Sequence, residues 1–479
     1  MKFMYKLCYG LLGVGLLFSA CKKDHDPTPR EEAVPTANDS MYFLFQDQYL
    51  WNDVIPDSAT FKPSSYSNLP EMFSKLISIK KKVNGQPIDK YSFLDQGRVA
   101  SAIQEGMAND FGFEVSYNAV NDLRVIYVLD SSPAHVKGIR RSWKVTSING
   151  DTDIDYDGSP LGNGTNINKI IQAIYNSERV TLGFTKPDGA SETITLEAAT
   201  YKLNPLLFTR VYTFDAKKVG YLVFHQFIGL KNAKAGLDAA FDNFIREGVS
   251  DLVIDFRYNG GGSVETAEYL ANLIAPTSVG VGNTTLMYKE YLNATLMNHQ
   301  SSRYLKTKLI PGTKYSWAEY FDSFVDDNAF YFSKAKTLNV PRVVFIGTGS
   351  TASASEMVIS VLKPYMDVKL VGSTTYGKPV GFVGVNVGGY DMYATSLWQK
   401  NADGYGDYFD GIRPDGQDVY EDYTITWGNS NERLLKEAFA ALGLNSGLRS
   451  DTRNAPAKQP VVPNPFPGLS PKGMFETRF

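Results

Sequence analysis

From Val219 onward, short apolar runs alternate with helix-like segments, and this alternation constrains the fold of the 479-residue chain more than any other feature. The apolar runs are VGYLVF, DLVIDF, RVVFIG and VKLVG, and helical patterns lie near 233–246, 264–274 and 353–363. Strands that alternate with helices usually form a sheet that the helices cover. We therefore predict an α/β core.

Two regions of different pattern precede this core. Residues 41–98 carry aromatic and aliphatic residues at helix-like spacing, in MYFLFQDQYLWNDVIP and again around 69–77, and they predict a small helical region. Residues 99–203 contain short apolar runs with glycine and polar punctuation, which predict strands, with NINKIIQAIY as a helix among them. We place the core at 204–446 and a Pro-rich tail without periodicity at 447–479, which makes the protein an α/β multi-domain chain.

The first twenty residues have the pattern of a secretory signal peptide. MKFMYKLCYGLLGVGLLFSAC carries early lysines, an apolar stretch too short to span a bilayer, and small residues before Cys21. FSAC resembles a bacterial lipobox, with Phe18 where leucine is more usual. That resemblance implies lipidation of Cys21 and anchoring to a membrane of the cell envelope, on the periplasmic side or the cell surface. A signal peptide cut elsewhere is the alternative. Residues 21–40, which are polar and proline-containing, are predicted to be a tether.

Charge and residue counts exclude several classes of function. Lys plus Arg (48) nearly balances Asp plus Glu (51), so the chain has no basic field for nucleic acid. The four histidines include no HExxH pattern, which leaves a zinc hydrolase little support. Because Cys8 lies in the predicted signal peptide, lipidation of Cys21 would leave no free thiol for catalysis, zinc or a disulfide. We expect neither a metal nor any other cofactor.

The stretch GSTASASEMV, residues 349–358, crowds hydroxyl groups between an apolar run and a predicted helix. Ser353 and Glu356 fit the S-x-x-E capping box, in which both side chains bind backbone N–H groups at a helix start. Alternatively, one of these hydroxyl groups is a nucleophile, which at a helix start would gain from the helix dipole and the nearby amides. The two interpretations are compatible, and the sequence leaves both open.

Two further motifs could complete an acyl-transfer site. Lys378, in GSTTYGKPV, can deprotonate a serine only if burial lowers its pKa, and a solvated loop lysine is the alternative. DFRYNGGG, residues 255–262, follows an apolar run with three glycines, whose amides could face an oxyanion or could simply form a turn. A Ser-His-Asp triad would need His225 or His299, and we interpret His225 as a strand residue rather than a base.

Together, TASASE, YGKP, DFRYNGGG, VGYLVF and DGIRPD resemble the tail-specific, or C-terminal processing, peptidases. These are Ser-Lys peptidases with a crotonase-like (Clp-protease-like) core. The resemblance implies that Ser353 is the nucleophile, that Lys378 is the base, and that the amides of Gly261 and Ala354 form the oxyanion hole. The sequence departs from the family at Phe382, where many members carry a glutamine.

The strand-rich region adds to this resemblance. SSPAHVKGIRRSWKVTSING, residues 131–150, is similar to the second half of a PDZ domain, and FGFEV is similar to its carboxylate-binding loop, with Phe111, Gly112 and Phe113. A PDZ domain takes up a free peptide C-terminus by strand addition. The resemblance therefore implies a serine endopeptidase of the envelope that cleaves polypeptides with exposed C-termini.

Other interpretations stay open from the sequence. The chain could be a catalytically degenerate, peptide-binding lipoprotein, in which Phe382 marks the loss of catalysis. A crotonase-like enzyme of small acyl thioesters is a third possibility, but it explains neither the PDZ-like segment nor the serine. The end of the chain, NPFPGLSPKGMFETRF, is either a surface tail or a segment whose Phe479 carboxylate enters the PDZ groove or the active site.

Overall fold

The computed structural model describes six segments of the chain: residues 35–82, 85–96, 103–159, 162–444, 464–466 and 473–475. Cys21, the predicted signal peptide and Phe479 lie outside these segments. Within them, no helix combines the length and the apolar character that crossing a bilayer requires.

The N-terminal part of the chain contains α1 (Ala37–Gln48), α2 (Ser58–Phe61), α3 (Leu69–Ile77) and the short strand β1 (Phe93–Asp95). Helix α3 confirms the helix predicted around 69–77. Helix α1 begins inside the predicted tether, 21–40, so that tether was drawn too long. Thr36 and Asp39 form a capping box, in which the Thr36 hydroxyl accepts a hydrogen bond from Asp39 N–H and the Asp39 carboxylate accepts one from Thr36 N–H. The helix therefore begins before Met41, where the apolar run used for the prediction starts.

The N-terminal helices share a hydrophobic core with later parts of the chain. Apolar side chains of α1 and α3 pack in one cluster with residues from 292–324 and 383–397. Strand β1 pairs antiparallel with residues 391–393, and Phe93 lies opposite Tyr393. The N-terminal residues are therefore built into the same packing unit as residues almost three hundred positions away.

The predicted strand-rich region contains seven strands, β2 (Met107–Asp110), β3 (Phe113–Ala119), β4 (Asp122–Val128), β5 (Lys144–Ile148), β6 (Arg179–Thr185), β7 (Ser191–Glu197) and β8 (Ala199–Lys202). Strands β3 to β7 form an antiparallel sheet in chain order, so β3 lies at an edge, and β2 pairs with β8. Two helices accompany them, α4 (Pro133–Val136) and α5 (Thr165–Tyr175). Ile167, Ile170 and Ile174 of α5 lie one turn apart and are buried in the core of this region.

The remaining strands are β9 (Leu206–Phe214), β10 (Lys217–Phe224), β11 (Asp251–Asp255), β12 (Gly261–Ser263), β13 (Leu286–Tyr291), β14 (Ala329–Tyr331), β15 (Arg342–Gly347), β16 (Asp367–Gly372), β17 (Val380–Val387), β18 (Tyr390–Asn401) and β19 (Gly473–Phe475). The remaining helices are α6 (Leu230–Arg246), α7 (Val264–Ile274), α8 (Ala294–Met297), α9 (Arg303–Thr307), α10 (Trp317–Asp326), α11 (Ala354–Leu362) and α12 (Arg433–Ala441).

The predicted α/β alternation is confirmed by a five-stranded sheet in the order β16-β15-β11-β10-β9. Strands β10, β11, β15 and β16 are parallel, and β9 is antiparallel to β10. Every residue of β11 is buried, as expected for a parallel strand covered on both faces.

A second sheet has the order β12-β19-β17-β18-β13-β14. Its central hairpin, β17 and β18, was not predicted. Strand β19 lies in 447–479, which was predicted to be a tail without regular structure, so that prediction is wrong for 473–475. A strand of three residues is too short to show periodicity, and β19 is defined by its pairing with β12 and β17.

Three chemically interesting loops meet at one edge of the five-stranded sheet. Strands β11, β15 and β16 are neighbours and run parallel, so their carboxyl ends lie side by side. DFRYNGGG begins at the end of β11, GSTASASEMV follows β15, and GSTTYGKPV begins at the end of β16. The fold therefore gathers the three motifs that sequence analysis selected.

Candidate active site

Ser353 occupies the sharp turn between β15 and α11. Its φ and ψ are 60° and −115°, a backbone conformation that residues with a side chain rarely adopt and that costs about 1–3 kcal/mol. The residue is fully buried, and its Oγ has no hydrogen-bond partner among the described residues. Ser353 is the N-cap residue of α11, and a strained backbone and a buried, unpaired hydroxyl are features that cluster at functional sites.

Ser353 and Glu356 are placed as the predicted capping box requires, but only one of the two contacts has hydrogen-bond geometry. The Glu356 carboxylate accepts a hydrogen bond from the Ser353 N–H at 2.8 Å, whereas the Ser353 hydroxyl binds no amide of the helix. An ordinary N-cap residue has an extended backbone, which aims its side chain at the helix amides. The positive φ of Ser353 is incompatible with that geometry.

Glu356 also holds the loop that carries the lysine. Its fully buried carboxylate accepts hydrogen bonds from Gly377 N–H at 2.7 Å, from Lys378 N–H at 2.8 Å and from the Thr375 hydroxyl. Ser353 N–H and Lys378 N–H donate to the same oxygen, Oε2, so their nitrogens lie no farther apart than twice 2.8 Å. Glu356 therefore joins the two residues that the sequence analysis proposed as nucleophile and base.

The contacts of Glu356 suit an ionised carboxylate. Burial raises the pKa of Glu356, and the hydrogen bonds that it accepts oppose this rise. The Thr375 hydroxyl accepts a hydrogen bond from Ile412 N–H at 2.7 Å, which leaves its own hydrogen for Glu356. Since all four partners act as donors, the carboxylate needs no proton of its own.

Lys378 is fully buried immediately before β17, which excludes a solvated loop lysine. Burial lowers its pKa well below the usual value, and the charges of Asp89 and Glu356 partly oppose this effect. Its Nζ lies 3.7 Å from the centroid of the Phe382 ring. Burial therefore favours a neutral amine, the form that can accept a proton from a serine, whereas the face of the Phe382 ring favours the ammonium form.

Residues near the N-terminus complete the surroundings of Lys378. The Tyr91 hydroxyl donates to the Gly377 carbonyl at 2.6 Å, and the Tyr91 ring centroid lies 5.9 Å from Lys378 Nζ. Asp89, which is buried, accepts hydrogen bonds from Tyr91 N–H and Ser92 N–H. The sequence analysis missed these residues because nothing in their local pattern links 85–96 to a lysine far along the chain.

One of the two predicted oxyanion donors is already engaged. The Gly261 N–H donates to Asn259 Oδ1 at 2.9 Å. The Ala354 N–H lies in the first turn of α11 and makes no hydrogen bond to any described part of the chain. The glycine run also serves packing, because a Cβ on Gly262, at φ 133°, would lie 2.0 Å from the carbonyl oxygen of Phe227. An oxyanion at this site could use Ala354 directly, and Gly261 only after Asn259 releases it.

Other hydroxyl groups of the serine-rich stretch are structural. Thr351 Oγ1 donates to the carbonyl of Phe256 at 2.8 Å, and Ser355 Oγ donates to the carbonyl of Asn259 at 3.0 Å. These bonds fix the turn that contains Ser353 against the DFRYNGGG loop. Asn259 is a further residue that the sequence analysis missed.

Neither candidate histidine contacts Ser353. His225 follows β10, its ring centroid lies 4.7 Å from that of Tyr127, and burial lowers its pKa to about 4. His299 is half-exposed and lies 3.1 Å from Asp322. Because Ser353 Oγ has no hydrogen-bond partner in the described segments, a Ser-His-Asp triad is not formed.

The predicted carboxylate-binding loop lies at the start of β3. Phe111 and Phe113 are buried, and Gly112 has a φ of 75°, where a Cβ would lie 1.9 Å from Ser132 Cβ. The neighbouring Asp110 carboxylate accepts a hydrogen bond from the Tyr201 hydroxyl at 2.7 Å, and burial raises the pKa of Asp110.

One protein-family model matches the part of the chain that carries this site. Residues 218–416 match peptidase family S41. The matched part, called the S41-like segment below, covers less than half of the chain. It contains Ser353, Lys378, Gly261 and Ala354, and it begins within β10.

The known relatives of this chain are distant in sequence. The chain is 24% identical over 334 residues to a CtpA-like serine protease of Staphylococcus epidermidis, over 68% of this chain and 57% of the relative. It is 24% identical over 285 residues to a carboxyl-terminal-processing protease of Picosynechococcus, over 59% and 58%. The matched part therefore spans less than two thirds of the length of these relatives.

A crystal structure of an S41 protease homologue from Bacteroides fragilis supports the fold assignment. It superimposes with a TM-score of 0.59 at 22% identity, covering 84% of this chain and 96% of the other. At this identity the likeness concerns the fold. The mixed α/β architecture of this chain is therefore shared with a protein of known structure.

Proposed function

We propose that the chain is a serine endopeptidase that hydrolyses polypeptides through an acyl-enzyme on Ser353. One observation carries the proposal: a buried, strained and unpaired serine is tied through Glu356 to a lysine whose burial lowers its pKa. The match of residues 218–416 to peptidase family S41 and the protease names of the relatives also support peptide hydrolysis.

In the proposed reaction, the neutral amine of Lys378 takes the proton of Ser353 as Oγ attacks the scissile carbonyl. The lysine then gives a proton to the leaving amine, and water hydrolyses the ester in the reverse sequence. The oxyanion would bind the Ala354 N–H at the start of α11, together with Gly261 N–H once Asn259 has released it. Each such donor contributes about 3 kcal/mol to transition-state stabilisation.

The structure holds Ser353 and Lys378 in an unreacted arrangement. The serine hydroxyl makes no hydrogen bond to the lysine, although the residues share a carboxylate partner through their backbones. We propose that a bound polypeptide completes the contact, since catalytic hydrogen bonds often tighten only when substrate is bound.

A serine-reactive probe tests the nucleophile directly. Incubation with a fluorophosphonate should add one adduct, which mass spectrometry should locate on Ser353. Ser353→Ala should abolish the adduct, whereas Ser350→Ala, which removes a hydroxyl from the same turn, should retain it. An adduct that survives in Ser353→Ala would refute the assignment, and no adduct in any protein would favour a peptide-binding protein without catalysis.

We also propose that residues 107–202 act as a PDZ domain that selects polypeptides by their C-termini. The edge position of β3 in its sheet, the neighbouring α5 and the Phe111–Phe113 loop support this assignment. A peptide with a free C-terminus should bind Ser353→Ala protein at least tenfold more tightly than the same peptide with a C-terminal amide. Equal affinities would count against recognition of the carboxylate.

Export and lipid anchoring through Cys21 remain proposals that rest on the sequence. In cells fed radiolabelled palmitate, the wild-type chain should carry the label and sediment with membranes. Cys21→Ser should lose the label, and label that persists in this variant would exclude Cys21 as the anchor.

A further inference from the structure

Two described pieces of the C-terminal segment, 464–466 and β19, lie against the two sites proposed above. Phe466 is only 7% exposed and belongs to the hydrophobic core of the 107–202 region. Its ring stacks on Tyr117 of β3 at a centroid distance of 5.7 Å, and on Tyr175 at the end of α5 at 5.9 Å. Phe466 therefore binds both the edge strand and the helix that would form a peptide-binding groove.

Strand β19 lies between β12 and β17, next to the candidate active site. It pairs in parallel with β12, with Gly473 opposite Gly261 and Phe475 opposite Ser263. On its other side it pairs with β17 at Phe382. One neighbour of β19 thus carries a proposed oxyanion donor, and the other begins two residues after Lys378. An extended polypeptide at this position is bound by strand addition, as peptide ligands often are.

The two contacts reinforce each other because they belong to one short stretch of chain. Phe466 and Gly473 are seven residues apart, which can span at most about 25 Å. Binding of Phe466 therefore raises the effective concentration of β19 at the active site.

We infer that the C-terminal segment is a built-in ligand of both places and that it inhibits the peptidase by filling the strand position that a substrate needs. This inference rests on the proposed function. It uses an internal stretch of the segment, not the Phe479 carboxylate.

The direction of the chain favours an inhibitor over a substrate. A polypeptide whose C-terminus is held at the Phe111–Phe113 loop would run from the active site toward that loop. The C-terminal segment runs the other way, with Phe466 on the 107–202 region and Gly473 at the active site. Its strand therefore enters the site in reverse, with amides and carbonyls exchanged relative to a captured substrate.

Peptidase assays on an unfolded protein substrate test inhibition. The chain shortened to end at residue 463 should cleave at least tenfold faster than the full chain. Phe466→Ala in the full chain should give a smaller increase, because it removes the ring but leaves β19. Tyr315→Ala, which removes a half-exposed aromatic ring elsewhere, should leave the rate unchanged.

A binding assay separates this inference from the proposed catalysis. A fluorescent peptide of residues 464–479 should bind the shortened chain carrying Ser353→Ala, and Phe466→Ala in the peptide should weaken binding by about tenfold or more. Binding without cleavage by any protein would contradict the peptidase function but support occupancy. Equal cleavage by full and shortened chains, with no peptide binding, would overturn the inference and leave the peptidase intact.

Two further measurements, intact mass and hydrogen exchange, decide the outcomes that these assays leave open. Ser353-dependent loss of residues beyond 473 from the full chain, measured as intact mass, would make the segment a substrate and overturn its inhibitory role. If the shortened chain does not fold, hydrogen exchange on the full chain replaces it. Phe466→Ala should then reduce protection of the amides of β19 itself, Gly473–Phe475, and unchanged protection would overturn the inference.

Discussion

At the scale of single residues, the site is built from conformations that are unfavourable in isolation. Ser353 has a positive φ and an unpaired hydroxyl, and Lys378 is a fully buried basic group. Neighbouring residues hold Ser353 and Lys378 in these positions. Glu356 binds the backbone N–H groups of both residues, and the ring of Phe382 faces the lysine amine. Such features reduce stability and are kept where function needs them.

Replacement of Ser353 should separate strain from catalysis. Ser353→Ala and Ser353→Gly should both lose activity, but the glycine variant should be more stable than the alanine variant by about 1 kcal/mol, because glycine accepts a positive φ. Urea denaturation gives the two free energies of unfolding. A glycine variant less stable than the alanine variant would show that the backbone at 353 is not strained.

Replacement of Lys378 by methionine should abolish activity and stabilise the fold at neutral pH. Burial lowers the pKa of Lys378, so the unfolded chain binds a proton more readily than the folded one, and folded wild type gains stability as pH rises toward 10.5. The advantage of Lys378→Met should therefore be largest at low pH and shrink toward pH 10.5, by about 1.4 kcal/mol for each unit by which the pKa is lowered. A pH-independent difference would contradict this account.

Phe382 should set the pH at which the base becomes active. The ring face lies 3.7 Å from Lys378 Nζ and stabilises the ammonium form, by about 0.5–2 kcal/mol in comparable sites. Phe382→Leu should therefore shift the acidic limb of kcat/KM to lower pH, by up to roughly one unit. Phe93→Leu, which changes a ring packed on Phe382, is the control. A shift to higher pH would show that the ring does not stabilise the ammonium.

At the scale of elements, Glu356 connects the start of α11 to the loop between β16 and β17. Asn259 similarly connects the loop after β11 to the Ser353 turn, because its carbonyl accepts hydrogen bonds from Ala352 N–H and from Ser355 Oγ. The three loops at the sheet edge are therefore fixed to one another by buried hydrogen bonds rather than by apolar contacts alone.

Glu356→Gln tests this connection. The glutamine amide would present N–H groups to partners that are themselves donors, so the variant should lose about 2–3 kcal/mol of stability. As a positioning residue, Glu356 should affect kcat by at least tenfold and leave KM nearly unchanged. A variant that changes stability but not kcat would restrict Glu356 to a structural role.

At the scale of the whole molecule, buried charges join the 107–202 region to the S41-like segment. Arg141 lies 2.6 Å from Glu421, and Glu421 lies 2.8 Å from the fully buried Arg257 of the DFRYNGGG loop. Arg257 in turn pairs with Asp255 and Glu432. Removal of one partner from such a network would leave an uncompensated buried charge. The network therefore opposes separation of the two regions.

The sequence predicted what local patterns encode. Apolar alternation predicted the parallel strands and their helices, and the family motifs selected Ser353 and Lys378, which the fold places beside one carboxylate. The β17-β18 hairpin had a usable signal, two glycines between apolar runs, that the analysis did not use.

Other features depend on contacts between distant parts of the chain, which local patterns do not carry. Tyr91 and Asp89 reach Lys378 only because the N-terminal helices share a core with residues after 292. Phe466 and β19 likewise acquire their positions from tertiary pairing, in a stretch whose prolines predicted no regular structure.

Digestion of an unfolded protein with a free, apolar C-terminus tests the central claim most directly. Four chains should be compared without residues 1–21 and ending at 463: wild type, Ser353→Ala, Lys378→Ala and Ser350→Ala. Wild type and Ser350→Ala should cleave, and the Ser353 and Lys378 variants should be folded but slower by about a thousandfold or more. Cleavage by Ser353→Ala at the wild-type rate, or binding without cleavage by all four chains, would contradict a Ser-Lys peptidase.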